Sequence, residues 1–462
     1  MTRIKERMPW ELLPVILTLA WPTMLEQLLQ TAVQYIDTAM VGSLGTEAVA
    51  SVGSTTTVNW LIGSTVSAIG VGFLAFISQA IGAGENGKAR RATGQAALAV
   101  LVSGILFTTV ALSLSGVIPA WMQVEEHVRP EASKYFFIVY LPMIFRCATI
   151  IFGTVLRAAG DTRTPMIVGL AVNFTNIVLN FFLIYPTRDI FGITVFGAGL
   201  GVVGAAVATA ISYTVGGILI TLAVIKHKSV APRLKYLKPD RNILYPCVRV
   251  AIPNALQRFG TSLGYVAFAA MVNSVGEVAT AAHTIANTVE SAFYIPGYGM
   301  QTAAATLAGN EFGAKNREQI NRLGRMMLLL ETALMILSGG ALFLLADPMV
   351  GLFSADREVI SLGGTVLKMV ALSEPFYGIS IIIEGMMMGM GRTTMPFVTN
   401  IIGMWGIRIV GTFICTQLLP FGLVSAWGCM ILHNLMLFGV FFVYYLSGRW
   451  NPLNKDFEVK KQ

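Results

Sequence analysis

The chain has 462 residues, of which 55% are hydrophobic and only 12% are charged, and its mean hydropathy is +0.69. Soluble globular proteins carry roughly 25% charged residues, so this composition argues against a water-soluble enzyme. The net charge of +8 does not indicate nucleic-acid binding, because the basic residues fall mainly in short loops between long apolar runs. We therefore expect a polytopic integral membrane protein with no nucleic-acid partner.

Apolar runs longer than the ~18 residues that mark a membrane span recur along the chain. The first run follows a short basic N-terminus and has no small-residue cleavage site, which predicts a retained helix and not a signal peptide. Twelve spanning helices are predicted, over 12–42, 49–81, 92–118, 131–158, 164–187, 199–225, 246–275, 280–308, 323–346, 361–390, 395–418 and 422–447.

Lysine and arginine are distributed unevenly between the two sets of connecting segments. With the N-terminus placed in the cytoplasm, the inner segments carry 24 of the 32 basic residues and the outer segments carry five. The excess of positive charge marks the cytoplasmic side of a membrane protein. We expect a multi-pass protein of the cytoplasmic membrane with both termini inside.

The second half of the sequence repeats the first, at an offset of half the chain length. Pro22 falls on Pro253, and Gly160 falls on Gly391. Beyond the fifth span the offset becomes shorter, as a shorter outer hairpin in the second half would require. A unit of six spans returns to its starting side, so the pattern predicts two parallel six-helix lobes. The predicted domains are an N-lobe (1–225), a basic cytoplasmic linker (226–245) and a C-lobe (246–462).

Asp37 is an acidic residue inside the first predicted span. A carboxylate within a membrane costs on the order of 2.5–3.5 kcal/mol on the insertion scale, so it usually faces a bundle interior and serves an ion or proton path. The alternative is an aspartate that reaches the outer water, since Gly42 lies only slightly further along the same span.

The fifth and sixth spans supply possible partners for Asp37. Asn173, Asn176 and Asn180 are spaced three and four positions apart and so share one helix face. Thr209 lies among small residues of the sixth span. These oxygens could bind Na⁺, or Asp37 could exchange a proton. The alternatives are hydrogen bonding between helices for the asparagines and back-bonding to its own helix for Thr209.

The repeat provides an internal comparison for this polar set. In the second half, the positions of Asp37, Asn176, Asn180 and Thr209 are taken by Phe268, Ile407, Gly411 and His433. Purely architectural polar residues would be expected in both halves, so their restriction to one half favours a functional role.

Charged residues also occur in other predicted spans. Glu290, Gln257 and Arg258 could line the second lobe's share of a cavity, or Arg–Glu pairs could lock helices together. Pro22, which precedes Asp37 in the first span, is expected to kink that helix. Its repeat copy Pro253 indicates a partly architectural role. The roles of five other charged residues stay open: Glu26, Glu374, Glu384, Arg146 and Arg408.

Several motifs together resemble the multidrug and toxic compound extrusion (MATE) family. PxxLEQ and YIDTAMVGSLG open the first half, LRAAGDTRTP joins spans four and five, and NIVLN and GAAVATAIS follow. AAHTIAN and GNEFGAKN extend the resemblance into the second half, so that it covers nearly the whole chain. The resemblance implies an all-α fold of twelve helices in a V-shaped arrangement around a central cavity. It also implies exchange of Na⁺ or H⁺ for organic, often cationic, drugs.

The resemblance also assigns roles by position. Pro22 matches the family's kinking proline and Gln30 a cavity glutamine. The cation site is expected to comprise Asp37, Asn176, Asn180, Thr209 and the backbone carbonyl of Ala205. The substrate cavity is expected to include Gln30, Gln34, Asn173, Gln257, Arg258 and Glu290.

The chain departs from the family pattern at several positions. A seventh-helix glutamate of the NorM-like branch falls near Thr261, which favours a DinF-like mechanism confined to the N-lobe. A fourth-helix asparagine falls at Ile150, and the second linker reads MGMGRTTMP. Asn180 replaces an aspartate found in some members, which lowers the negative charge of the site and favours H⁺ over Na⁺.

The sequence thus predicts a cation-coupled multidrug antiporter that works by alternating access. It is expected to be a monomer among membrane lipids, to take small organic substrates, and to need no cofactor or metal beyond a coupling H⁺ or Na⁺. Three alternatives remain: a lipid-linked precursor flippase, a polytopic membrane enzyme such as a prenyl-chain transferase, and a passive channel. A flippase would call for a strongly basic cavity, and an enzyme for paired acids in a large loop.

Overall fold

The computed structural model describes residues 9–122, 124–190, 192–419 and 421–454. The predicted cytoplasmic termini therefore lie largely outside the described residues. Uninterrupted apolar sequence favours helices here because a backbone in lipid must satisfy its hydrogen bonds internally. The helices are α1 (Pro9–Gly42), α2 (Thr46–Gly82), α3 (Asn86–Leu114), α4 (Ile118–Trp121), α5 (Arg129–Tyr140), α6 (Met143–Ala158), α7 (Arg163–Leu183), α8 (Gly201–Lys226), α9 (Arg241–Asn273), α10 (Glu277–Gly313), α11 (Arg317–Gly351), α12 (Arg357–Ala371), α13 (Glu374–Gly389), α14 (Thr394–Ile401), α15 (Val410–Phe413) and α16 (Gly422–Leu446).

These helices make up the twelve predicted spans. Among the described residues, eight helical segments are long and apolar enough to cross a membrane, and two bent helix pairs could each add one more. The remaining two spans coincide with α9 and α10, which have 33 and 37 residues but more polar sequence. Large apolar side chains stay exposed along the helices; on α11, Leu337 is 74% and Leu344 78% exposed. Lipid would cover such side chains.

The predicted fourth and tenth spans are each two helices instead of one. α5 and α6 meet at 49°, and α12 and α13 meet at 53°. Pro142 directly precedes α6, and Pro375 lies in the first turn of α13. Proline has no N–H to donate, so a helix tends to break or begin beside it.

Two further predicted spans differ from a plain α-helix. The fifth ends at Leu183 instead of 187, and the chain continues into an antiparallel hairpin of β1 (Pro186–Ile190) and β2 (Ile193–Ala198). The eleventh passes through two π-helical segments, Ile402–Ile409 and Ile414–Leu418. The fold is otherwise helical, as expected.

The internal repeat is visible in the backbone. Gly160 and Gly391, which the repeat places at equivalent positions, both have positive φ, at 82° and 77°. After each bent pair the chain makes the same turn. Asp161 N donates to the carbonyl of Leu156, and Arg392 N donates to the carbonyl of Met387. These are the hydrogen bonds of a glycine-capped helix end.

The described chain divides into two compact units. One contains the residues up to Leu25, Ser78–Glu85 and the residues from Arg249 onward; the other contains Glu26–Ile77 and Asn86–Val248. We call them the C-unit and the N-unit. The predicted domain limits at 225 and 246 follow halves of the sequence, whereas this division also assigns the start of α1 and the end of α2 to the C-unit.

Each unit has its own packing. In the N-unit, α8 packs against α5, α6 and α7, and α3 packs against α6. In the C-unit, α10 packs against α11, α12 and α13, and α16 packs against α13. Fully buried side chains of the C-unit include Ile16, Phe268, Trp427 and Phe441.

The basic linker between α8 and α9 is attached to the N-unit. It forms a short 3₁₀ turn, Leu234–Leu237. Gln95 of α3 donates to the carbonyls of Tyr236 and Lys238, each at 2.7 Å. A segment predicted as a simple connection therefore has a fixed place on α3.

Candidate functional site

Three helices of the N-unit bring four polar side chains into one hydrogen-bonded chain. Nδ2 of Asn180 on α7 donates to Oδ1 of Asp37 on α1 at 2.5 Å and to Oδ1 of Asn176 at 3.0 Å. Nδ2 of Asn176 donates to Oγ1 of Thr209 on α8 at 3.3 Å. One turn separates the two asparagines, which is why both face Asp37 and Thr209 from the same side of α7.

The central asparagine is buried and only partly satisfied. Asn180 is 0% exposed and Asn176 is 9% exposed. Asn180 Oδ1 has no hydrogen-bond partner among the described residues. A buried amide oxygen without a donor is unusual, and it calls for a ligand, ion or water to complete it.

The donor set suits a small hard cation or a proton. Na⁺, like other hard cations, prefers oxygen ligands, and this site offers a carboxylate, a free amide oxygen and a hydroxyl. Asp37 can equally carry a proton. Among the described residues, no group of three or more His, Cys, Asp or Glu side chains comes together as it would at a transition-metal site.

Close packing of α7 and α8 brings Thr209 near the asparagines. A Cβ on Gly204 would lie 2.5 Å from the carbonyl oxygen of Leu183, at the end of α7. Only glycine allows this approach. Ala205 follows and is 1% exposed, but no contact joins it to Asp37 or the asparagines among the described residues, so its predicted role as a carbonyl ligand stays a prediction.

The C-terminal end of α1 is held in place by the segment that follows α7. The hydroxyl of Tyr185 donates to the carbonyl of Met40 at 3.2 Å and lies 2.8 Å from Oγ of Ser43. The guanidinium of Arg188 covers the Tyr185 ring at 3.9 Å. Sequence analysis missed this contact, and the aromatic and basic residues at the end of span five were its available signal.

Pro22 lies in a helix that remains continuous. α1 runs through it to Gly42, and the next residue, Thr23, contacts the carbonyls of Ala20 at 2.8 Å and Gly299 at 2.9 Å. The division between the two units falls at Leu25, about one turn beyond the proline. The hinge role of Pro22 stays a prediction.

The predicted cavity residues have different surroundings. In the N-unit, Gln30 and Gln34 are exposed and Asn173 is half-buried. In the C-unit, Gln257 is buried and donates to Oε1 of Glu384 at 2.6 Å. Asn400 donates to the other oxygen of Glu384 at 3.4 Å.

Arg258 and Glu290 do not form the Arg–Glu pair that the sequence left open. Nε of Arg258 donates to Oδ1 of Asn254 at 3.0 Å. Glu290 is buried. Among the described ion pairs, the intramembrane Arg–Glu pair joins Arg157 and Glu26 at 2.6 Å in the N-unit.

The C-unit also contains buried carboxyl groups that the sequence analysis left unassigned. Glu331 is 0% exposed, and neither of its carboxylate oxygens has a hydrogen-bond partner among the described residues. Oε2 of Glu374 is likewise without one. Their signal in the sequence was their position inside apolar runs.

The family model described as MatE matches residues 22–182 and 253–414 of the chain. The two stretches begin at Pro22 and Pro253, a pair of prolines related by the repeat. The probable multidrug resistance protein NorM of Thermotoga maritima is 29% identical over 446 residues, which are 96% of this chain and 94% of that protein. The probable multidrug resistance protein YoeA of Bacillus subtilis is 26% identical over 416 residues, 88% of this chain and 87% of that protein.

Solved structures share the same fold. The outward-facing conformation of a multidrug resistance MATE family transporter of the MOP superfamily superposes with a TM-score of 0.88. It is 22% identical and matches 96% of each chain. A crystal structure of MATE in complex with MaD3S gives the same TM-score, identity and coverage.

Proposed function

We propose, from the premise that this chain belongs to the MatE family, that it is a cation-coupled antiporter exporting organic compounds. The family consists of transporters, so the protein is a multi-span membrane transporter and not an enzyme. The observation that carries the proposal is the Asp37 carboxylate, hydrogen-bonded to a buried asparagine whose own oxygen lacks a partner among the described residues.

Coupling requires that ion and substrate prefer different conformations of the same protein. In the proposed cycle, Asp37 takes up H⁺ or Na⁺ from outside and releases it inside as the substrate leaves the cell. Changing the charge of Asp37 alters its hydrogen bond with Asn180. This changes the preferred position of α1 relative to α7. Pro22 gives α1 a place to bend, because proline removes one backbone hydrogen bond from the helix.

The charge of the site supports H⁺ as the coupling ion. With asparagine at position 180, the site contains one carboxylate, and the other oxygens are neutral. One proton needs only the carboxylate to bind, whereas Na⁺ would need several further oxygen ligands. We propose H⁺ as the coupling ion, with Na⁺ as the second possibility and no organic cofactor.

The span pattern and the distribution of basic residues support the following setting. We propose that the protein lies in the cytoplasmic membrane as a monomer among lipids, with both termini inside. Its substrates are small organic molecules, as expected for a relative of the probable multidrug resistance proteins NorM and YoeA. A DinF-like mechanism confined to the N-unit remains part of this proposal.

The test is gradient-driven dye efflux from membrane vesicles by the Asp37→Asn variant. We expect the initial rate to fall at least about tenfold, or ~1.4 kcal/mol, because asparagine cannot change its charge. Collapsing the H⁺ and Na⁺ gradients separately identifies the ion.

Asp189→Asn is the matched control, since Asp189 lies in the exposed hairpin and accepts a hydrogen bond from Thr194. It should leave efflux unchanged. Full-rate efflux by Asp37→Asn would rule out Asp37 as the coupling residue.

A further inference from the structure

Cys415 and Cys429 form a thiol pair in the C-unit to which the antiport cycle assigns no role. All four cysteines of the chain lie among the described residues, and there they are free thiols. Cys147 and Cys247 are buried, whereas Cys415 and Cys429 are half-buried. The Sγ atoms of Cys415 and Cys429 lie 4.0 Å apart. Two adjacent thiols can be oxidised to a disulfide, which a single thiol cannot form within the chain.

Local packing holds the two thiols side by side. Cys415 lies in the π-helical segment Ile414–Leu418, and Cys429 lies on α16, which packs against that segment. Gly411, one turn before Cys415, leaves room for the Cys429 thiol, because a Cβ on this glycine would lie 2.9 Å from its Sγ. The Cys429 thiol therefore fits a notch on the facing helix that Gly411 and Cys415 form.

The turn between the two helices is tied back to the helix that carries Cys415. N of Phe421 donates to the carbonyl of Cys415 at 3.0 Å, and N of Leu419 donates to the carbonyl of Ile414 at 2.9 Å. These bonds define the position of Cys415 relative to the start of α16. π-helical segments are rare and are frequent at functional sites.

Only a small movement separates the two thiols from bonding. The sulfurs of a disulfide lie about 2.05 Å apart, so these two must approach each other by roughly 2 Å. Rotation of either side chain about its Cα–Cβ bond moves the sulfur while the helices keep their places. The packing of the hairpin is therefore compatible with both the reduced and the oxidised pair.

The thiol pair lies near one end of the eleventh span. Cys415 is within one turn of Leu418, the last residue of the π-helical segment. Polar side chains meet at this end, where Nε2 of Gln417 donates to Oγ of Ser274 at 2.6 Å. In the orientation proposed above this end faces the outside of the cell, where disulfides form and persist.

We propose that Cys415 and Cys429 form a reversible disulfide that joins the eleventh and twelfth spans at their outer ends. The oxidant is a low-molecular-weight disulfide in the outer medium. One protein thiolate attacks this disulfide and releases one small thiol; the second then attacks the mixed disulfide and releases the other. One protein S–S bond forms, and the two thiol protons leave with the two small thiols. The outer location rests on the proposed function and its orientation, whereas the bond itself does not.

The test counts free thiols of the purified protein before and after treatment with oxidised glutathione. The native protein is treated in detergent, quenched with acid, denatured and labelled with a maleimide that carries polyethylene glycol. We expect four labels before treatment and two after it, because Cys147 and Cys247 stay reduced. The intact mass should show no retained glutathione, and dithiothreitol should restore all four labels. The oxidised protein should unfold a few degrees higher than the reduced protein, because the bond restricts the unfolded chain.

Two kinds of variant test whether the pair is specific. Cys415→Ser and Cys429→Ser lack the second thiol, so treatment leaves the remaining thiol free or carrying glutathione. The double variant Gly428→Cys/Cys429→Ser is the matched control. It keeps four thiols but moves one of them about 100° around α16, to a position where a Cβ has open space. It should form no internal disulfide and should show no rise in unfolding temperature.

The opposite results are equally clear. Four free thiols or retained glutathione in the treated wild-type protein would overturn the proposal. An internal disulfide that forms equally fast in the Gly428→Cys/Cys429→Ser variant would overturn it as well, because the two native positions would then have no special proximity. An unfolding temperature that oxidation does not raise would show that the bond does not fit the native packing.

The outer location is tested separately in intact cells with the same membrane-impermeant oxidised glutathione. We expect the bond to form without permeabilisation. Formation only after permeabilisation would overturn the outer location and the proposed orientation with it. The thiol count in detergent does not depend on orientation or transport, so a failure of antiport in the Asp37 experiment leaves it interpretable.

Discussion

At the scale of single residues, the candidate ion site depends on one asparagine that holds two neighbours and leaves its own oxygen free. Asn180 Nδ2 uses both hydrogens, one toward Asp37 and one toward Asn176. This orients its Oδ1 away from both, and that buried oxygen has no described partner. Thr209 lies further along the chain of contacts, where it accepts a hydrogen bond from Asn176.

This order predicts a ranking of variants by the concentration of coupling ion that gives half-maximal efflux. Asn180→Ala should shift that concentration more than Thr209→Val, because it removes both the donor to Asp37 and the free oxygen. Thr209→Val removes one neutral hydrogen-bond acceptor, worth about 1 kcal/mol, so a change of about fivefold is expected.

Both variants should keep normal thermal stability in detergent if their effect is local. An equal effect of the two on ion dependence would contradict the ranking and show that Asn180 has no special place in the site.

At the scale of helices, glycine on α8 decides how closely the site's helices approach. Gly204 lies against the carbonyl of Leu183 on α7, and Gly217 lies against Phe145 on α6. The bent pair α5–α6 then places Tyr140 and Arg146 on either side of its break, where both bind Asn59. Short-range packing thus places polar groups from different spans within hydrogen-bonding distance.

Gly204→Ala is expected to destabilise the N-unit and loosen the contact between Asn176 and Thr209. The new Cβ would meet backbone atoms at 2.5 Å and 2.6 Å, so the helices must separate. Overpacking of this kind costs about 1–3 kcal/mol, which exceeds the ~1 kcal/mol that alanine gains in a helix. The measurement is the midpoint of thermal unfolding in detergent, together with ion-dependent efflux.

Gly87→Ala is the matched control, because a Cβ at Gly87 of α3 has open space around it. It should leave the midpoint unchanged or slightly raised. A Gly204→Ala protein as stable as this control would show that close approach of α7 and α8 is not required.

At the scale of the whole molecule, the two halves of the sequence make equivalent close contacts between glycine and backbone. Within the C-unit, a Cβ on Gly82 would overlap the backbone of Asn310, and a Cβ on Gly313 would overlap the backbone of Gln79. The repeat relates Gly82 to Gly313 and Gln79 to Asn310, so the end of α2 and the end of α10 meet in a reciprocal contact. The internal repeat therefore extends to helix packing as well as to helix order.

The orientation of the molecule is a prediction that cysteine labelling can check. In a background without Cys147, Cys247, Cys415 and Cys429, the variant Thr194→Cys places a thiol in the exposed hairpin, and Lys228→Cys places one in the basic linker. We expect a membrane-impermeant maleimide to label the first in intact cells and the second only after permeabilisation. This follows because basic loops remain cytoplasmic.

The reverse labelling pattern would place both termini outside and reverse the direction of α1. The Asp37 experiment does not depend on this result, because the ion gradient across the vesicle membrane can be imposed in either direction.

Apolar length and repeated spacing were sufficient, without any structure, to predict twelve spans in two related halves. A helix needs about 20 mainly apolar residues to cross a membrane, so apolar runs of that length indicate where the spans lie. The spacing of three and four positions, which matches the period of a helix, placed the three asparagines of α7 on one face. The resemblance of the motifs to the MATE family led to the family that the comparisons show.

Only the tertiary structure decided which polar groups meet. Contacts such as Asn180 with Asp37, Gln257 with Glu384, and Arg146 with Asn59 join residues that lie far apart in the chain, and helix periodicity carries no information at that range. The attachment of the basic linker to α3 likewise depends on contacts between residues that are distant in the chain. Which carboxyl groups stay unpaired among the described residues, as at Glu331, follows from those contacts and not from the local sequence.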